Sequence, residues 1–230
     1  MLAAVVQFPG SNADFDAFYT LSRVLGVPTQ YVFHKESALP AGTDLVVLPG
    51  GFSYGDYLRC GAIARFAHIM PAVQAHAERG GLLLGICNGF QILTETGILP
   101  GALTRNTHLR FECRDVTLRV DGEGAFTQGM KGELLRLPIA HGEGRYQADA
   151  ATMEALEREG RIALRYAPGP DDGLPWNPNG SLHDIAGIYG GPRRNVLGLM
   201  PHPERASEPA LGSADGARLF RTALKTLVGA

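Results

Sequence analysis

A cysteine lies at the point where an apolar run of the chain gives way to a helical pattern. The run Leu82–Ile86 predicts a buried parallel strand, and helical periodicity follows it through Thr94. Gly85 and Gly89 lie two residues before and two residues after Cys87, which is the spacing of a nucleophile elbow. In so tight a turn, a Cβ atom at either glycine would collide with neighbouring backbone. The pattern is typical of a nucleophilic cysteine, and the alternative is a buried structural cysteine after a glycine turn.

A cysteine nucleophile needs a base that takes up its proton, and the base needs a group that orients it. His202 is the first candidate because it follows an apolar strand, at the sheet edge where doubly wound folds place their sites. Prolines on both sides restrict its backbone, and Glu204 is near enough to reach the far imidazole nitrogen. The alternative is an incidental histidine in a proline-rich loop. His141, in a glycine-rich segment, is the second candidate and equally well lines a substrate pocket.

An acyl-transfer centre also needs hydrogen-bond donors for the oxyanion that forms on the attacked carbonyl group. At a nucleophile elbow, one donor is the backbone N–H of the following residue, which here is Asn88. The second donor is expected from Gly50-Gly51-Phe52, a loop that ends another predicted strand at the same edge of the sheet. Glycines allow a backbone amide to approach a substrate carbonyl closely, because they carry no side chain.

The elements that would position these groups alternate between strand and helix in the first part of the chain. Strands are predicted at 3–7, 29–33, 44–48 and 82–86, with helices at 14–25 and 61–79. This alternation predicts an α/β fold with a doubly wound, mostly parallel sheet. Residues 113–146 carry short alternating runs, which predict extra antiparallel strands at the edge of that sheet.

The remainder of the chain continues the alternation and contains one long loop. Residues 167–181 are dense in turn-forming residues and predict a surface loop. The other predicted elements are a helix at 151–159, strands at 162–166, 185–189 and 196–200, and a terminal helix that begins near Ser213. No internal repeat or long linker separates these segments, so we expect a single domain over residues 1–230.

Composition and charge narrow the class of protein. The 230 residues are 45% hydrophobic and carry a net charge of −2, which gives no reason to expect a nucleic acid or membrane partner. No signal peptide is expected, and three cysteines at unrelated spacings favour a reducing, cytoplasmic compartment over disulfides or a zinc site. Nucleotide-binding and metal-ligand motifs are absent, so no cofactor or metal is predicted in this chain. The other histidines are interpreted as surface or packing residues: His34, His68, His76, His108 and His183.

Two of the motifs described above resemble those of the class I (triad) glutamine amidotransferases: Gly85-Ile86-Cys87-Asn88-Gly89-Phe90-Gln91 and Pro201-His202-Pro203-Glu204. Five further blocks are similar to those of the glutaminase subunits of phosphoribosylformylglycinamidine synthase within that family, at 8–12, 50–59, 110–113, 139–144 and 177–181. The resemblance covers nearly the whole chain and implies a flavodoxin-like sheet in one glutamine amidotransferase domain.

The resemblance also implies roles for individual residues. Cys87 would attack the carboxamide carbon of glutamine and release ammonia, leaving a glutamyl thioester. His202 would transfer protons and activate the hydrolytic water, and Glu204 would orient His202. The backbone amides of Gly51 and Asn88 would hold the oxyanion. The residues implied to bind substrate are Gln91, Gly50, Phe52, His141 and Gly142.

The same resemblance implies partner proteins in de novo purine biosynthesis. Without a nucleotide site, the chain cannot itself couple ammonia to an ATP-dependent amination, so we expect it to pass ammonia to another polypeptide. The implied acceptor is a synthetase subunit that uses ATP and Mg²⁺ to convert formylglycinamide ribonucleotide into formylglycinamidine ribonucleotide. A small bridging subunit would join the two. We therefore expect slow glutamine hydrolysis by the isolated chain and faster hydrolysis in the complex.

Three other functions compete with this one. A cysteine peptidase or thioesterase with the same elbow would hydrolyse peptides or thioesters and ignore glutamine. A non-catalytic binding subunit would not be labelled at Cys87 by a glutamine-mimicking electrophile, and a glutaminase of another pathway would lack the five further blocks. The roles of Arg110 and Glu112 stay open between substrate and partner contacts, and we expect Cys60 and Cys113 to be structural.

Overall fold

The chain folds around a nine-stranded mixed sheet whose central strands are buried, as expected for strands covered on both faces. The computed structural model describes residues 1–169 and 173–228. Over those residues the strands are β1 (Leu2–Gln7), β2 (Thr29–Phe33), β3 (Thr43–Leu48), β4 (Leu82–Ile86), β5 (Ala102–Thr104), β6 (Glu112–Val120), β7 (Leu134–His141), β8 (Arg145–Gln147), β9 (Ile162–Tyr166), β10 (Ile185–Gly190) and β11 (Val196–Leu199). The α-helices are α1 (Asp14–Tyr19), α2 (Met70–Glu78), α3 (Asn88–Glu95), α4 (Ala150–Arg158) and α5 (Asp215–Val228).

The large sheet has two halves of different strand direction. In the parallel half, the order is β2-β1-β3-β4-β11, which is the flavodoxin-like arrangement of a doubly wound sheet. In the antiparallel half, β10, β9, β6 and β7 continue the sheet beyond β11. The predicted fold class is therefore confirmed, and the strands predicted within 113–146 do form an antiparallel edge. The short pair β5–β8 forms a separate small sheet that the sequence reasoning missed.

The register of the parallel half brings three loops to one place. Leu48 of β3 lies beside Gly85, and Leu199 of β11 lies beside Ile86, so β3, β4 and β11 end at the same level. The segments that follow these three strands carry Gly51, Cys87 and His202. Because parallel strands share the direction of their carboxyl ends, residues far apart in sequence meet at this edge.

The helix predicted at 61–79 is shorter in the structure. Its α-helical part is α2, and a single 3₁₀ turn, Ala64–Phe66, precedes it. Between them, Ala67 is extended with ψ 143°. Pro71 explains the late start, because a proline is tolerated in the first turn of a helix but in the interior its ring collides with the carbonyl group four residues earlier. The prediction for 61–69 was therefore wrong.

Two further predictions need correction. The helix at 14–25 is present as α1 followed by a π-helical turn, Thr20–Val24, but Phe15, one of the apolar residues that give this segment its helical period, is 65% exposed. In the loop 167–181, residues 170–172 lie outside the described residues, and Asn179 and Ser181 are buried instead of lying at the surface. Residues 229–230 of the predicted single domain also lie outside the described part. Among the described helices, none is long and apolar enough to cross a membrane.

Candidate active site

Cys87 lies in the sharp turn between β4 and α3, with backbone angles φ 51° and ψ −104°. A positive φ is rare for a residue with a side chain and is a strained conformation. A Cβ atom at Gly85 would lie 2.8 Å from the carbonyl oxygen of Gly89, and one at Gly89 would overlap the carbonyl oxygen of Leu48. The packing of the turn therefore excludes side chains at both glycines, as predicted from the spacing.

His202 follows β11, and its imidazole is buried beside the buried side chain of Glu204. Nδ1 of His202 lies 2.5 Å from Oε1 of Glu204, so the contact expected from their spacing is present. The other ring nitrogen, Nε2, is buried and has no hydrogen-bond partner in the described part of the chain. Gly50 leaves room for this ring, because a Cβ atom there would lie 2.7 Å from Cε1 of His202.

The charge around His202 keeps it protonated. Burial opposes a charge on the imidazole, but the Glu204 carboxylate and the sulfur of Cys87 outweigh burial and raise the pKa of His202 to about 10. A protonated imidazole next to a cysteine sulfur stabilises the thiolate, which is the nucleophilic form. The three side chains together therefore provide a nucleophile, a proton carrier and a carboxylate that holds the carrier.

His141, the second candidate base, has a different environment. Its ring is buried, and burial together with the positive charge of His202 lowers the pKa of His141 to about 3. Nε2 of His141 lies 3.5 Å from the side-chain nitrogen of Asn179, and Nδ1 has no partner among the described residues. A group that resists protonation so strongly is a poor proton acceptor near neutral pH. His141 therefore suits the wall of a pocket better than the role of general base.

Two backbone amides near Cys87 are the predicted donors to an oxyanion. The N–H of Phe52 donates to the carbonyl oxygen of Gly10 at 2.9 Å, in a short antiparallel bridge that pairs Gly51 with Ser11. In that bridge geometry the Gly51 N–H makes no hydrogen bond. The N–H of Asn88 begins α3, where the first amides of a helix have no intrahelical acceptor. The two predicted oxyanion donors are thus free within the described residues, whereas the Phe52 amide is occupied.

A cavity of about 340 Å³ opens beside Cys87. Gln91, on the first turn of α3, spans its floor: Nε2 donates to the carbonyl oxygen of Glu143 at 2.7 Å, and Oε1 accepts from Nδ2 of Asn88 at 2.9 Å. Gly50 is not among the wall residues and instead accommodates His202. The predicted site residues in the wall are Gly51, Phe52, Cys87, Gln91, His141 and Gly142. The wall residues without a predicted role are Asp56, Cys60, Arg105, Leu109, Arg110, Phe111, Ala140 and Glu143.

Two buried asparagines hold the far wall of this cavity, the loop 141–144. Nδ2 of Asn106 donates to the carbonyl oxygens of His141 at 3.0 Å and Arg110 at 2.9 Å, and its Oδ1 accepts from the N–H of Gly144 at 3.1 Å. Nδ2 of Asn179 donates to the carbonyl oxygen of Gly144 at 2.9 Å. Sequence reasoning missed Asn106 and gave Asn179 no role, although the block 177–181 was noticed. Its many turn-forming residues indicated an exposed loop.

The structure gives different positions to Arg110 and Glu112, whose roles the sequence left open. Arg110 lies in the cavity wall, whereas Glu112 is not part of the wall and pairs with His108 at 3.2 Å and with Arg114 at 3.6 Å. Cys60 also lies in the wall, and Cys113 is exposed. Burial and the neighbouring Asp56 carboxylate raise the pKa of the Cys60 thiol, so this second cysteine is held in its unreactive form.

None of the five histidines interpreted as surface or packing residues lines the cavity. His34 and His76 are buried, with ring nitrogens 2.6 Å from the Tyr54 hydroxyl and 3.1 Å from the Leu82 carbonyl oxygen. The other three are exposed. Across residues 1–169 and 173–228, no group of three or more His, Cys, Asp or Glu side chains is arranged to hold a metal ion.

Comparison with known proteins identifies the same family along the whole chain. Residues 2–220 match the family described as the CobB/CobQ-like glutamine amidotransferase domain. A protein from Trichormus variabilis named phosphoribosylformylglycinamidine synthase subunit PurQ is 53% identical over 230 residues, with 99% of each chain covered. Its namesake from Gloeobacter violaceus is 54% identical over 226 residues, with 96% of each chain covered.

Solved structures give a similar result. The chain matches a chain in the structure of PurLQS from Thermotoga maritima with a TM-score of 0.85 and 43% sequence identity, and 98% of each chain is covered. The glutaminase domain of CTPS from Trypanosoma brucei, with bound acivicin, matches with a TM-score of 0.59 over 98% of this chain and 94% of that chain. At 17% sequence identity, the second match concerns the fold alone.

Proposed function

This chain belongs to the family of CobB/CobQ-like glutamine amidotransferases, and from that membership we propose that it is the glutamine-hydrolysing subunit of phosphoribosylformylglycinamidine synthase in purine biosynthesis. It hydrolyses glutamine to glutamate and ammonia, and it passes the ammonia to an ATP-dependent synthetase subunit. The observation that carries the proposal is the contact of His202 with Glu204, close enough to Cys87 for the sulfur to raise the pKa of His202, beside a cavity in a chain 53% identical to PurQ over its full length.

The reaction begins at the sulfur of Cys87. The thiolate attacks the carboxamide carbon of glutamine, and the negative charge that develops on the amide oxygen is held by the backbone N–H groups of Gly51 and Asn88. Protonated His202 then gives its proton to the amide nitrogen, so that the carbon–nitrogen bond breaks, ammonia leaves and a glutamyl thioester remains on Cys87.

During hydrolysis of the thioester, His202 accepts a proton instead of donating one. Neutral His202 takes a proton from a water molecule, which attacks the thioester carbonyl, and glutamate leaves as the Cys87–His202 pair is restored. Glu204 stabilises the imidazolium form in both stages, because its carboxylate is held 2.5 Å from Nδ1. The raised pKa of His202 supports this assignment, since the proton needed by the departing amine is already bound there.

The need for partner subunits follows from the chemistry of the ammonia that is released. Ammonia released into water is protonated and ceases to be a nucleophile, so an acceptor enzyme must take it up directly. We assign ATP and Mg²⁺ to the synthetase subunit, with a small bridging subunit between the two proteins. The compartment we propose is the cytoplasm, which is supported by three cysteines that are all free.

The test is ammonia release from glutamine, measured for the chain alone and with the synthetase and bridging subunits. We expect slow release by the isolated chain and a rate at least about tenfold higher in the complex. Cys87→Ala should abolish release, because without the sulfur no thioester forms, and the residual rate of an enzyme without its nucleophile is lower by about 10⁴-fold or more. The matched control is Cys113→Ala, which removes an exposed cysteine outside the cavity.

A glutamine-mimicking electrophile provides the second readout. It should label the wild-type chain and Cys113→Ala once, and it should leave Cys87→Ala unlabelled. Absence of ammonia release under every condition, together with hydrolysis of peptides or thioesters, would replace this proposal with the peptidase or thioesterase alternative. Full release by the isolated chain, with no response to the partners, would contradict the transfer of ammonia within a complex.

A further inference from the structure

The cavity beside Cys87 carries charges of both signs in its wall. Asp56 and Glu143 contribute carboxylates, and Arg105 and Arg110 contribute guanidinium groups. Nε of Arg105 lies 3.6 Å from Oε1 of Glu143, so these two side chains already form an ion pair. Asp56 and Arg110 have no ion-pair partner within the described residues. One anion and one cation in the wall are thus left for a ligand.

Asp56 lies next to the reacting groups. Its Oδ1 is 3.5 Å from Nδ2 of Asn88, the residue after the nucleophile, and the thiol of Cys60 is within hydrogen-bonding reach of the same carboxylate. Burial raises the pKa of Asp56, and the negative charge of Glu143 raises it further against the Cys60 contact. A partly buried carboxylate that faces another carboxylate is stabilised by any cation that enters the cavity.

The backbone of Arg110 is firmly held although its side chain is exposed. Its carbonyl oxygen accepts from Asn106 at 2.9 Å, and its N–H donates to Nδ1 of His108 at 3.1 Å. A fixed backbone in the cavity wall with a free guanidinium group suits the recognition of a carboxylate, because the guanidinium presents two parallel donors. Glu112, two residues on, pairs with His108 instead and takes no part in the wall.

We propose that Asp56 receives the α-ammonium group of glutamine and that Arg110 receives its α-carboxylate, so that these two residues select a free amino acid over other amides. The proposal rests on the proposed function, because it concerns the same cavity and the same substrate. With the carboxamide carbon at Cys87, the amino acid end of glutamine lies within the same cavity, whose wall contains both charges. An amide inside a peptide chain lacks both groups and would leave Asp56 and Arg110 without partners, which disfavours its binding.

The experiment compares three amides that differ only at the recognised groups. Glutaramate lacks the α-ammonium group of glutamine, and 4-aminobutanamide lacks the α-carboxylate. Ammonia release is measured in the complex with the partner subunits for wild type, Asp56→Asn and Arg110→Gln. Asparagine is suited to position 56 because its φ is 54°, a backbone conformation that asparagine tolerates. Glu154→Gln, an exposed side chain on α4, is the control variant.

We expect Asp56→Asn to lower kcat/KM for glutamine at least about tenfold, mainly through KM, because it removes a charge-assisted contact. The same variant should change kcat/KM for glutaramate less than about threefold, since glutaramate never makes that contact. Arg110→Gln should lower kcat/KM for glutamine by a similar factor and should change kcat/KM for 4-aminobutanamide only slightly, because that amide lacks the α-carboxylate. Turnover of the truncated amide also reports that the variant site is folded.

The outcomes distinguish the two proposals. If wild type releases no ammonia from glutamine, the proposed function fails. If wild type is active but Asp56→Asn lowers the rates with glutamine and glutaramate equally, Asp56 has only a structural effect and the recognition proposal is overturned. The proposal for Arg110 is overturned in the same way by equal losses with glutamine and 4-aminobutanamide.

Discussion

The parallel and antiparallel halves of the sheet contribute different things to the cavity. Segments after β3, β4 and β11 in the parallel half supply Gly51, Cys87 and His202, which we propose act on the carboxamide. The antiparallel half supplies the opposite wall, with His141 at the end of β7 and Glu143 just after it. Asp56 is the one proposed recognition residue that the parallel half provides.

The two halves also differ in how their residues are held. The elbow depends on close contact between neighbouring backbone atoms, so that a single methyl group at Gly85 or Gly89 would not fit. The loop 141–144 depends on side-chain amides of Asn106 and Asn179, which reach it from distant segments. We therefore expect changes at the elbow and at the His202–Glu204 pair of the parallel half to affect kcat. Changes in the antiparallel half, and at the recognition residue Asp56, should affect KM.

The largest effect that tests this comparison is expected from Glu204→Gln. The amide keeps the shape of the side chain but removes the charge that stabilises protonated His202, so kcat should fall by about 10²–10⁴-fold with little change in KM. Steady-state kinetics in the complex gives both constants. A variant that raises KM and leaves kcat intact would contradict the division between the halves.

The contact between His202 and Glu204 also predicts that the stability of the protein depends on pH. The pKa of His202 is raised to about 10, so the stabilising effect of its charge is complete below the ordinary value of about 6.5 and is lost as pH rises through about 10. The free energy of unfolding of wild type should therefore decrease across this window. In Glu204→Gln the decrease should be smaller, which urea unfolding at several pH values would measure. Identical slopes in both proteins would count against a raised pKa of His202.

An intermediate effect is expected from Asn179→Ala in the antiparallel half. Removing the amide takes one of two donors from the buried carbonyl oxygen of Gly144, which keeps Oγ of Ser181 at 3.3 Å. It also leaves the buried N–H of Ser181 without the acceptor it has in Asn179, at a cost of about 1–3 kcal/mol. The loop 141–144 should loosen, so that KM for glutamine rises about tenfold while Cys87 is still labelled at the wild-type rate. Gln30→Ala, an exposed amide on β2, is the matched control. Slower labelling of Cys87 in Asn179→Ala would place Asn179 with the reacting groups instead.

The smallest effect is expected from Arg105→Gln. The Arg105 side chain is 74% exposed and its ion pair with Glu143 spans 3.6 Å, so the pair contributes about 0–1 kcal/mol. KM for glutamine should change by less than about threefold, in contrast to the larger change expected for Arg110→Gln. A tenfold rise in KM for glutamine in Arg105→Gln would indicate that Arg105, and not Arg110, binds the α-carboxylate.

The parts of the site that the sequence predicted are those encoded locally. The elbow around Cys87 and the step from His202 to Glu204 each involve a few consecutive residues, and the structure brings them together as expected. The helix at 61–79 was overestimated because Pro71, which a helix tolerates only in its first turn, makes α2 begin at Met70. Asn179 was assigned to the surface because turn-forming residues are usually exposed, whereas here the amide satisfies buried backbone groups.

By itself, the sequence determined the order along the chain of the strands of the large sheet, the elbow, the histidine–glutamate pair and the family. These depend on periodicity and short spacings, because a tight turn restricts only the residues within it. Only the tertiary structure decided that Arg110 faces the cavity while Glu112 does not, and that Gln91 bonds to Glu143, 52 residues away. Such contacts depend on how the two halves of the sheet pack together, which the spacing of residues along the chain does not encode.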